Sequence, residues 1–396
     1  MKKTLWIISE LFPPDETSTA FILGEIANVM LQEYEVNVIS GPEVYDKRKT
    51  KDPKNLFALS PNLKVFRVKG VNYDKNTFFG KSMRFLIISK QLYQLAKNNI
   101  KKEDKVLLVT NPAPLVVLIS RLKMKIGFDF HLLVHDVFPE NTRPAGIRLP
   151  YILYIMLKNL FDKAYSRADQ LIALGRDMKI FLEQKVNRFE HHPKVTIVEN
   201  WADLDMVSPM DVGPLPNKVI LEYAGNIGRV QGLQIFLKLL KESQNDELEF
   251  HLWGTGAEES KLKDYVKRHK MSNVFFHGYY LRSRQSEIIN CCNLALVTLS
   301  EGMFGLGVPS KTYNIMAAGK AILFIGEVNS EIGLLVKEKQ IGYVFNPKDF
   351  DGIISFLASL SLDKNDDFKE MGQRARKVAE KEYAKSVILN KYVESI

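Results

Sequence analysis

The chain has 396 residues, of which 46% are hydrophobic and 26% are charged. This length and composition favour two or three globular domains and exclude a fibrous or disordered protein. The net charge of +9 is uneven: residues 1–200 contain 31 Lys and Arg against 21 Asp and Glu, whereas residues 201–396 contain 24 against 25. The basic half favours contact with an anionic partner, either nucleic acid or lipid headgroups.

Cysteine usage and hydropathy bound the cellular location. Cys291 and Cys292 are adjacent, so neither a disulfide framework nor a zinc spacing follows, and a reducing compartment is expected. The apolar run at the N-terminus is too short for a signal peptide, and the run from Tyr151 to Leu157 is too short to span a bilayer. We therefore expect a cytoplasmic protein that is soluble or peripheral on a membrane.

The first half of the chain alternates between strand and helix patterns. Strands are predicted at 4–9, 35–40, 63–68, 105–110, 129–135, 169–174 and 194–198, and helices at 19–32, 78–99, 114–126 and 150–168. This alternation predicts a parallel sheet with helices on both faces. The alternation of strand and helix patterns then stops in a segment that contains Pro209, Gly213, Pro214 and Pro216.

The second half repeats the α/β pattern. Strands are predicted at 218–224, 248–253, 273–276, 293–299, 321–325 and 342–345, and residues 365–396 have a helical pattern throughout. The sequence thus predicts a first Rossmann-like domain over 1–200, a linker over 201–217 and a second Rossmann-like domain over 218–379, with the helix 380–396 packing back on the first. Ligands of such sheets bind beyond the carboxyl ends of the strands, so a cleft site is expected.

The most informative segment is 299–325, in which a strand is followed by a glycine-rich loop that opens a helix at Ser310 and Lys311. Backbone amides and the positive end of a helix can hold phosphate, and Lys311 adds a full charge. Glu301 in the loop and Asn314 in the helix can bind hydroxyl groups. Phosphate and polyol recognition together indicate a nucleotide sugar, although an ordinary strand–helix turn remains the alternative.

Two further glycine motifs follow predicted strands. Gly225 and Gly228 would let the backbone approach a ligand, and Asn226, Arg229 and Gln231 could donate to phosphate oxygens. The sequence Trp253-Gly254-Thr255-Gly256 is typical of a turn near a nucleotide, but tight turns without function are common at such places.

In the first half, His135 and Asp136 end a predicted strand, where a pair of this kind can bind hydroxyls, orient groups or move protons. A structural histidine with a capping aspartate is the alternative. Residues Glu16, Thr17 and Ser18 offer a carboxylate and hydroxyls after the first strand, where helix capping alone also explains Ser and Thr.

Two other patterns have ordinary alternatives. The predicted helix from Phe78 to Lys97 interleaves Lys81, Arg84, Lys90 and Lys97 with apolar residues such as Phe79, a pattern compatible with an anionic membrane but also with a core helix whose lysines face solvent. The pair Asp203 and Asp205 could be an Asp-x-Asp metal site, but solvated carboxylates are favoured because no phosphate loop is adjacent.

Taken together and in this order, the motifs resemble the retaining glycosyltransferases of family 4, which have the GT-B fold. The resemblance extends over nearly the whole chain and is strongest to the bacterial O-antigen and capsule subgroup that includes FucNAc transferases. The matching residues are Pro13-Pro14, Asn111-Pro112, His135-Asp136, Pro139-Glu140, Ala168-Asp169, Ala173-Leu174, Asn200 to Asp203, Gly225 to Gly228, Gly254 to Gly256, Gly278, Pro309 to Lys311 and Met316 to Gly319.

The resemblance implies transfer of a hexosyl or N-acetylhexosaminyl group from a nucleoside diphosphate donor, UDP being favoured, to a lipid-linked or oligosaccharide acceptor, with retention and without metal or cofactor. It implies catalytic roles for His135, Asp136, Arg229, Lys311 and Glu301, and acceptor contacts from Glu16, Thr17 and Ser18. The donor residues it implies are Gly225, Asn226, Gly228, Gln231, Gly254, Gly278, Tyr279, Gly305, Leu306, Ser310 and Asn314.

The chain departs from the family pattern in the first loop, where residues around Glu16, Thr17 and Ser18 replace the usual Gly-Gly, and at three further positions. Most members have charged residues at the positions of Asn226, Gln231 and Asn314. Two alternatives therefore stay open: an epimerase or hydrolase acting on UDP-sugars, and a non-catalytic partner subunit that binds a nucleotide sugar. Nucleic-acid binding is the least favoured, because no motif for it is present.

Overall fold

The computed structural model describes residues 2–43, 58–70, 78–212 and 217–396, and for residues 78–82 the backbone alone. The predicted linker residues Gly213, Pro214 and Pro216 lie outside the described residues, as do the side chains of Phe79 and Lys81.

The first half forms a seven-stranded parallel sheet in the order β3-β2-β1-β4-β5-β6-β7. Its central strands are buried on both faces, as the near-continuous apolar run Val106–Val109 shows, because helices cover both sides. The strands are β1 (Lys3–Ser9), β2 (Tyr34–Ser40), β3 (Lys64–Arg67), β4 (Lys105–Val109), β5 (Asp129–Leu133), β6 (Gln170–Ala173) and β7 (Lys194–Ile197), and the helices are α1 (Ser18–Met30), α2 (Phe78–Asn99), α3 (Ala113–Ile126), α4 (Tyr151–Tyr165) and α5 (Arg176–Val186).

The second half forms a six-stranded parallel sheet in the order β10-β9-β8-β11-β12-β13. Its strands are β8 (Val219–Ala224), β9 (Leu248–Trp253), β10 (Val274–Gly278), β11 (Leu294–Thr298), β12 (Ala321–Ile325) and β13 (Gly342–Phe345). The helices are α6 (Leu233–Glu242), α7 (Glu259–Arg268), α8 (Gln285–Asn290), α9 (Lys311–Ala317), α10 (Glu331–Glu338), α11 (Phe350–Ala358), α12 (Asn365–Glu382) and α13 (Lys385–Ser395). Every predicted strand is present, with ends shifted by at most two residues.

The prediction of continuous helix over 365–396 was wrong at one point. The chain leaves helical geometry between α12 and α13, where the backbone amide of Ala202 donates to the carbonyl of Tyr383 over 2.8 Å. The C-terminal chain thus pairs with the segment that crosses between the sheets. Beyond this break α13 packs on α1, and Lys385 forms an ion pair with Glu25 of α1 at 3.1 Å.

The sequence of helix α2 was compatible with a face on an anionic membrane, but the described part of the helix packs into the core. Its described apolar stripe of Ile88, Leu92 and Ala96 is fully buried against the first sheet. Arg84, one of the predicted surface cations, is buried in an ion pair with Glu10 at the end of β1. This part of α2 is therefore a core helix, and Arg84 is not available to an outside surface.

Candidate active site

Three glycines end neighbouring strands of the second sheet and let the loops stack closely. Gly225 has φ of +145°, Gly254 has +118° and Gly278 has +77°. The amide of Gly225 donates to the carbonyl of Trp253 over 2.9 Å, and the amide of Gly254 donates to the carbonyl of Gly278 over 2.7 Å. A Cβ atom at Gly254 would lie 2.0 Å from the Gly225 carbonyl oxygen, so this position requires glycine.

The ammonium group of Lys311 lies beneath the Gly225 loop. Its Nζ is 3.3 Å from the centroid of the Tyr223 ring and would be 3.1 Å from a Cβ atom at Gly225. Nζ is buried and has no hydrogen-bond partner among the described residues. Burial holds the Lys311 pKa well below its usual range, against the opposing effect of Glu222. An anion that entered here would find a pre-positioned, poorly solvated amine and would favour its protonated form.

A buried carboxylate lies close to this lysine. Glu222 of β8 is 2% exposed, and burial raises its pKa to about 8, although Lys320 and Lys311 act in the opposite direction. At neutral pH Glu222 is thus largely protonated, and Lys311 is not held by a fixed negative charge. The surroundings of Lys311 Nζ therefore favour pairing with an external anion over an ion pair with Glu222.

The Gly225–Gly228 loop brings together the amide side chains of Asn226 and Gln231. A Cβ atom at Gly228 would lie 2.6 Å from Gln231 Oε1 and 2.7 Å from Asn226 Nδ2. Arg229 is half exposed, and its Nε lies 3.6 Å from Glu258 Oε1, so its charge is partly balanced. Lys311 is consequently the stronger candidate for phosphate.

The glycine-rich loop after β11 reaches across to the first domain. The Gly305 amide donates to Asp177 Oδ2 over 3.0 Å at the start of α5, and a Cβ at Gly305 would lie 2.6 Å from that of Phe181. The carbonyl of Leu306 accepts from the Val137 amide over 3.1 Å. These contacts place the loop beside the His135–Asp136 turn.

His135 is positioned by hydroxyl groups from the loop after β4 and from the first turn of α1. Its backbone amide donates to Thr110 Oγ1 over 3.1 Å, and the Asp136 amide does so over 3.2 Å. Its ring Nδ1 lies 3.4 Å from Thr19 Oγ1. Burial lowers the pKa of His135 to about 4, so the imidazole is neutral at physiological pH. A neutral ring can exchange hydrogen bonds with a sugar hydroxyl but is a poor reservoir of protons.

The loop after β1 also meets the second domain. Tyr279, which follows β10, donates its hydroxyl hydrogen to Glu16 Oε2 over 3.4 Å. Thr17 caps α1 by accepting from the Ala20 amide over 3.3 Å, whereas Ser18 is exposed. Glu16 and Tyr279, predicted on opposite sides of the cleft, therefore come together.

Glu301 and Asn314 are both engaged by other groups. Glu301 forms an ion pair with Lys348 at 2.7 Å on the surface, its side chain 60% exposed. Asn314 accepts a hydrogen bond from the Asp203 amide over 3.0 Å, which leaves its NH₂ group as the donor for a ligand. Ser310 precedes α9, a helix of seven residues, so its dipole is smaller than the sequence pattern suggested.

Three residues of this region make contacts that sequence reasoning did not predict. Asp203 was expected to be solvated, yet it is 2% exposed and accepts from Arg282 Nη2 over 3.1 Å. The Arg282 guanidinium also lies 3.9 Å from the centroid of the Phe21 ring in α1. Asp177 is the third, and only the folded chain brings it to Gly305. Asp203 stands in the segment from Asn200 to Asp203, which carried no sign of its burial, and neither Arg282 nor Asp177 stands in a recognisable motif.

Within the described ranges, no group of three or more His, Cys, Asp or Glu side chains is arranged to hold a metal ion. A search of the described helices found none with the length and hydropathy of a bilayer-crossing segment.

The sequence is similar to those of known glycosyltransferases. Residues 211–378 match the family described as glycosyl transferases group 1. A protein named glycosyltransferase WbjE, from Pseudomonas aeruginosa, is 29% identical over 99% of this chain and 97% of its own length. A protein named colanic acid biosynthesis glycosyl transferase WcaI, from Escherichia coli, is 24% identical over 52% of this chain and 50% of its own length.

Two solved structures share the whole fold. Sucrose-phosphate synthase from Thermosynechococcus elongatus superposes with a TM-score of 0.76 at 12% identity, covering 100% of this chain and 98% of that one. HepE of Anabaena, solved in complex with UDP, has a TM-score of 0.69 at 14% identity and covers 99% of both chains.

These two sheets with a cleft between them define the GT-B fold. The matched family, the named relatives and the fold together support a glycosyltransferase whose relatives include proteins of bacterial polysaccharide biosynthesis.

Proposed function

We propose that this protein is a retaining glycosyltransferase that moves a hexosyl or N-acetylhexosaminyl group from a UDP-linked donor to a glycan or lipid-linked sugar in bacterial surface polysaccharide biosynthesis. One observation carries the proposal: the buried ammonium group of Lys311 has no hydrogen-bond partner in the described structure and lies beside Gly225. A diphosphate oxygen would supply the hydrogen-bond partner that Lys311 Nζ lacks.

Donor recognition is assigned to the loops that end β8, β9, β10 and β11. Lys311 and Arg229 would balance the charge that develops on the leaving diphosphate, which needs no metal ion. Asn226 and Gln231 would donate to phosphate oxygens, and the NH₂ group of Asn314 to a ribose hydroxyl. UDP is favoured because the structural neighbours include HepE in complex with UDP and with UDP-glucose.

The reacting centre is assigned to the region where Gly307 meets His135 and Asp136. A Cβ atom at Gly307 would lie 3.5 Å from Asp136 Oδ1 and 3.6 Å from the carbonyl oxygen of His135, which is ordinary contact distance, so the two predicted motifs lie side by side. The neutral His135 ring would hold a hydroxyl of the transferred sugar, and Glu301 would contact the same sugar after release from Lys348. In the front-face course implied by the family resemblance, the leaving phosphate oxygen takes the proton of the acceptor hydroxyl as the C1–O bond breaks.

Acceptor binding is assigned to the loop of Glu16, Thr17 and Ser18. The proposed acceptor is a lipid-linked sugar diphosphate at the cytoplasmic face of the inner membrane. The excess of positive charge in residues 1–200 supports an anionic acceptor and an anionic membrane surface.

The test is release of the nucleoside diphosphate from a panel of UDP- and GDP-sugars, with and without a short lipid-diphosphate-GlcNAc acceptor, in EDTA. Release that depends on the acceptor, with the anomeric configuration retained in the product, is the expected result. Release without acceptor would identify the epimerase or hydrolase instead. UDP that stabilises the fold without turnover on any donor would identify a non-catalytic nucleotide-sugar-binding subunit.

A further inference from the structure

We infer that the exposed face of helix α4 docks on an anionic lipid surface. This inference rests on the proposed function only in taking the acceptor to be lipid-linked. The docking surface itself follows from the exposure and charge of α4 and its neighbours. For this surface we use the name α4 stripe, defined as Tyr151, Ile152, Leu153, Met156 and Leu160.

Helix α4 is apolar on both sides, which is unusual for a helix on the outside of a sheet. Tyr154, Phe161 and Tyr165 face the core and are buried. On the opposite side, Ile152 is 75% exposed and Met156 is 63% exposed, and Leu160 continues the same line one further turn along. A helix that covers a sheet normally presents polar residues to water, so the α4 stripe lacks a partner within the described chain.

The charge around the α4 stripe favours an anionic partner. Residues 141–168 contain a single acidic residue, Asp162, which is 1% exposed and held in ion pairs by Lys158 and Lys185. Apart from Lys158, whose charge is balanced by Asp162 and Glu140, the same segment contains four cations: Arg143, Arg148, Lys163 and Arg167. Exposed apolar side chains beside cations, with the acidic group withdrawn into the core, are typical of helices that lie in a membrane interface.

A basic cavity lies at the carboxyl end of α4. It has a volume of about 360 Å³ and is lined by Arg121, Lys125 and Arg167 with Tyr93, Leu118 and Met124. Met124 is itself 65% exposed on α3, the helix that packs beside α4. Cations around an apolar floor suit the phosphate and glycerol of an anionic lipid headgroup.

The position of the α4 stripe fits delivery of a lipid-linked acceptor. Helix α4 connects the carboxyl end of β5 to the amino end of β6, and these strands are parallel. Its first turn, with Tyr151 and Ile152, therefore lies at the sheet edge that also carries His135. Docking through α4 would bring the bilayer surface to the same edge as the proposed reacting centre.

A second copy of this chain fits the surface less well. In a two-fold dimer each patch meets itself, so Arg143, Arg148 and Lys163 would be brought close to their own counterparts. Like charges at such an interface are unfavourable, whereas phosphate groups of anionic lipids would neutralise them.

The experiment is co-sedimentation of the full chain with vesicles of phosphatidylglycerol and phosphatidylcholine, and with vesicles of phosphatidylcholine alone. We expect binding to the mixed vesicles and at least about tenfold weaker binding by Ile152→Glu/Met156→Glu. Ile152→Ser/Met156→Ser, which adds no charge, should also bind more weakly. The matched control is Ile235→Glu, an isoleucine 47% exposed on α6 of the other domain, which should bind as the unaltered chain does.

Two results would overturn the inference. One is equal sedimentation of the unaltered chain and both double variants; the other is a dimer in solution that the double variants convert to monomer, which would assign the α4 stripe to a second copy. Stabilisation by UDP, measured on the same samples without vesicles, reports on the proposed function separately. Failure of docking and failure of nucleotide binding are thereby distinguished.

Discussion

The Lys311 ammonium group lies 3.3 Å from the centroid of the Tyr223 ring, directly under the loop that Gly225 opens. The ring face offers a weak electrostatic partner that a phosphate can readily outcompete. This relationship holds the Lys311 side chain beneath the Gly225 loop without committing it to a carboxylate.

Lys311→Met should weaken UDP binding about tenfold to a hundredfold, because a charge-assisted hydrogen bond contributes about 1.5–3 kcal/mol. The unaltered protein should also take up protons when UDP binds, since burial lowers the Lys311 pKa and a diphosphate would raise it. Isothermal titration in buffers of different ionisation enthalpy measures both effects. The control is Lys369→Met on exposed α12; equal affinity in the two variants would remove Lys311 from the phosphate role.

Glu222→Gln should change how stability depends on pH. The folded-state pKa of about 8 lies above the ordinary value of 4.5, so the stability that Glu222 contributes is present at pH below 4.5 and is lost as pH rises through 8. The glutamine does not titrate in this range. The free energy of unfolding of the variant should therefore exceed that of the unaltered chain by on the order of 3 kcal/mol at pH about 8.5.

Urea unfolding at pH about 5 and about 8.5 measures this difference. Glu247→Gln, an exposed carboxylate just before β9, is the matched control and should have no such effect. A pH dependence that persists unchanged in Glu222→Gln would show that Glu222 is ionised in the native state.

The hydrogen bond from Tyr279 to Glu16 should couple the two sides of the cleft during turnover. Tyr279→Phe and Glu16→Gln should each lower kcat/KM a few-fold with little effect on UDP affinity, because the bond joins loops and not the diphosphate site. A double-mutant cycle on kcat/KM isolates the pair, with an expected coupling below about 1 kcal/mol at this exposed position. Strictly additive effects would mean that the contact plays no part in catalysis.

Gly254→Ala should cost more stability than Gly278→Ala. Both positions have positive φ, which costs about 1–3 kcal/mol for alanine, but only at Gly254 would the new methyl group meet a backbone oxygen, 2.0 Å away. A Cβ at Gly278 has nothing within 4 Å. Thermal unfolding of the two variants compares them, and equal losses would contradict the close stacking of the Gly225 and Gly254 loops.

The sequence could predict the two sheets and the glycine-containing loops at the strand ends because both follow local rules. Apolar runs of strand length, separated by helical patterns, identify parallel strands whatever the distant contacts are. Glycine at 225, 254 and 278 marks backbone that other residues rarely adopt, and Lys311 follows such a loop directly. Each of these signals is contained within a few neighbouring residues.

Only the tertiary structure decided the charge state and the partners of the site. The lowered pKa of His135 and the raised pKa of Glu222 come from burial, which depends on packing by residues far apart in the chain. Asp177 reaches Gly305 across 128 positions, and the break before α13 arises where Tyr383 pairs with Ala202. Local pattern fixes which segments become strands, helices and loops, whereas desolvation and long-range pairing exist only once those segments have packed together.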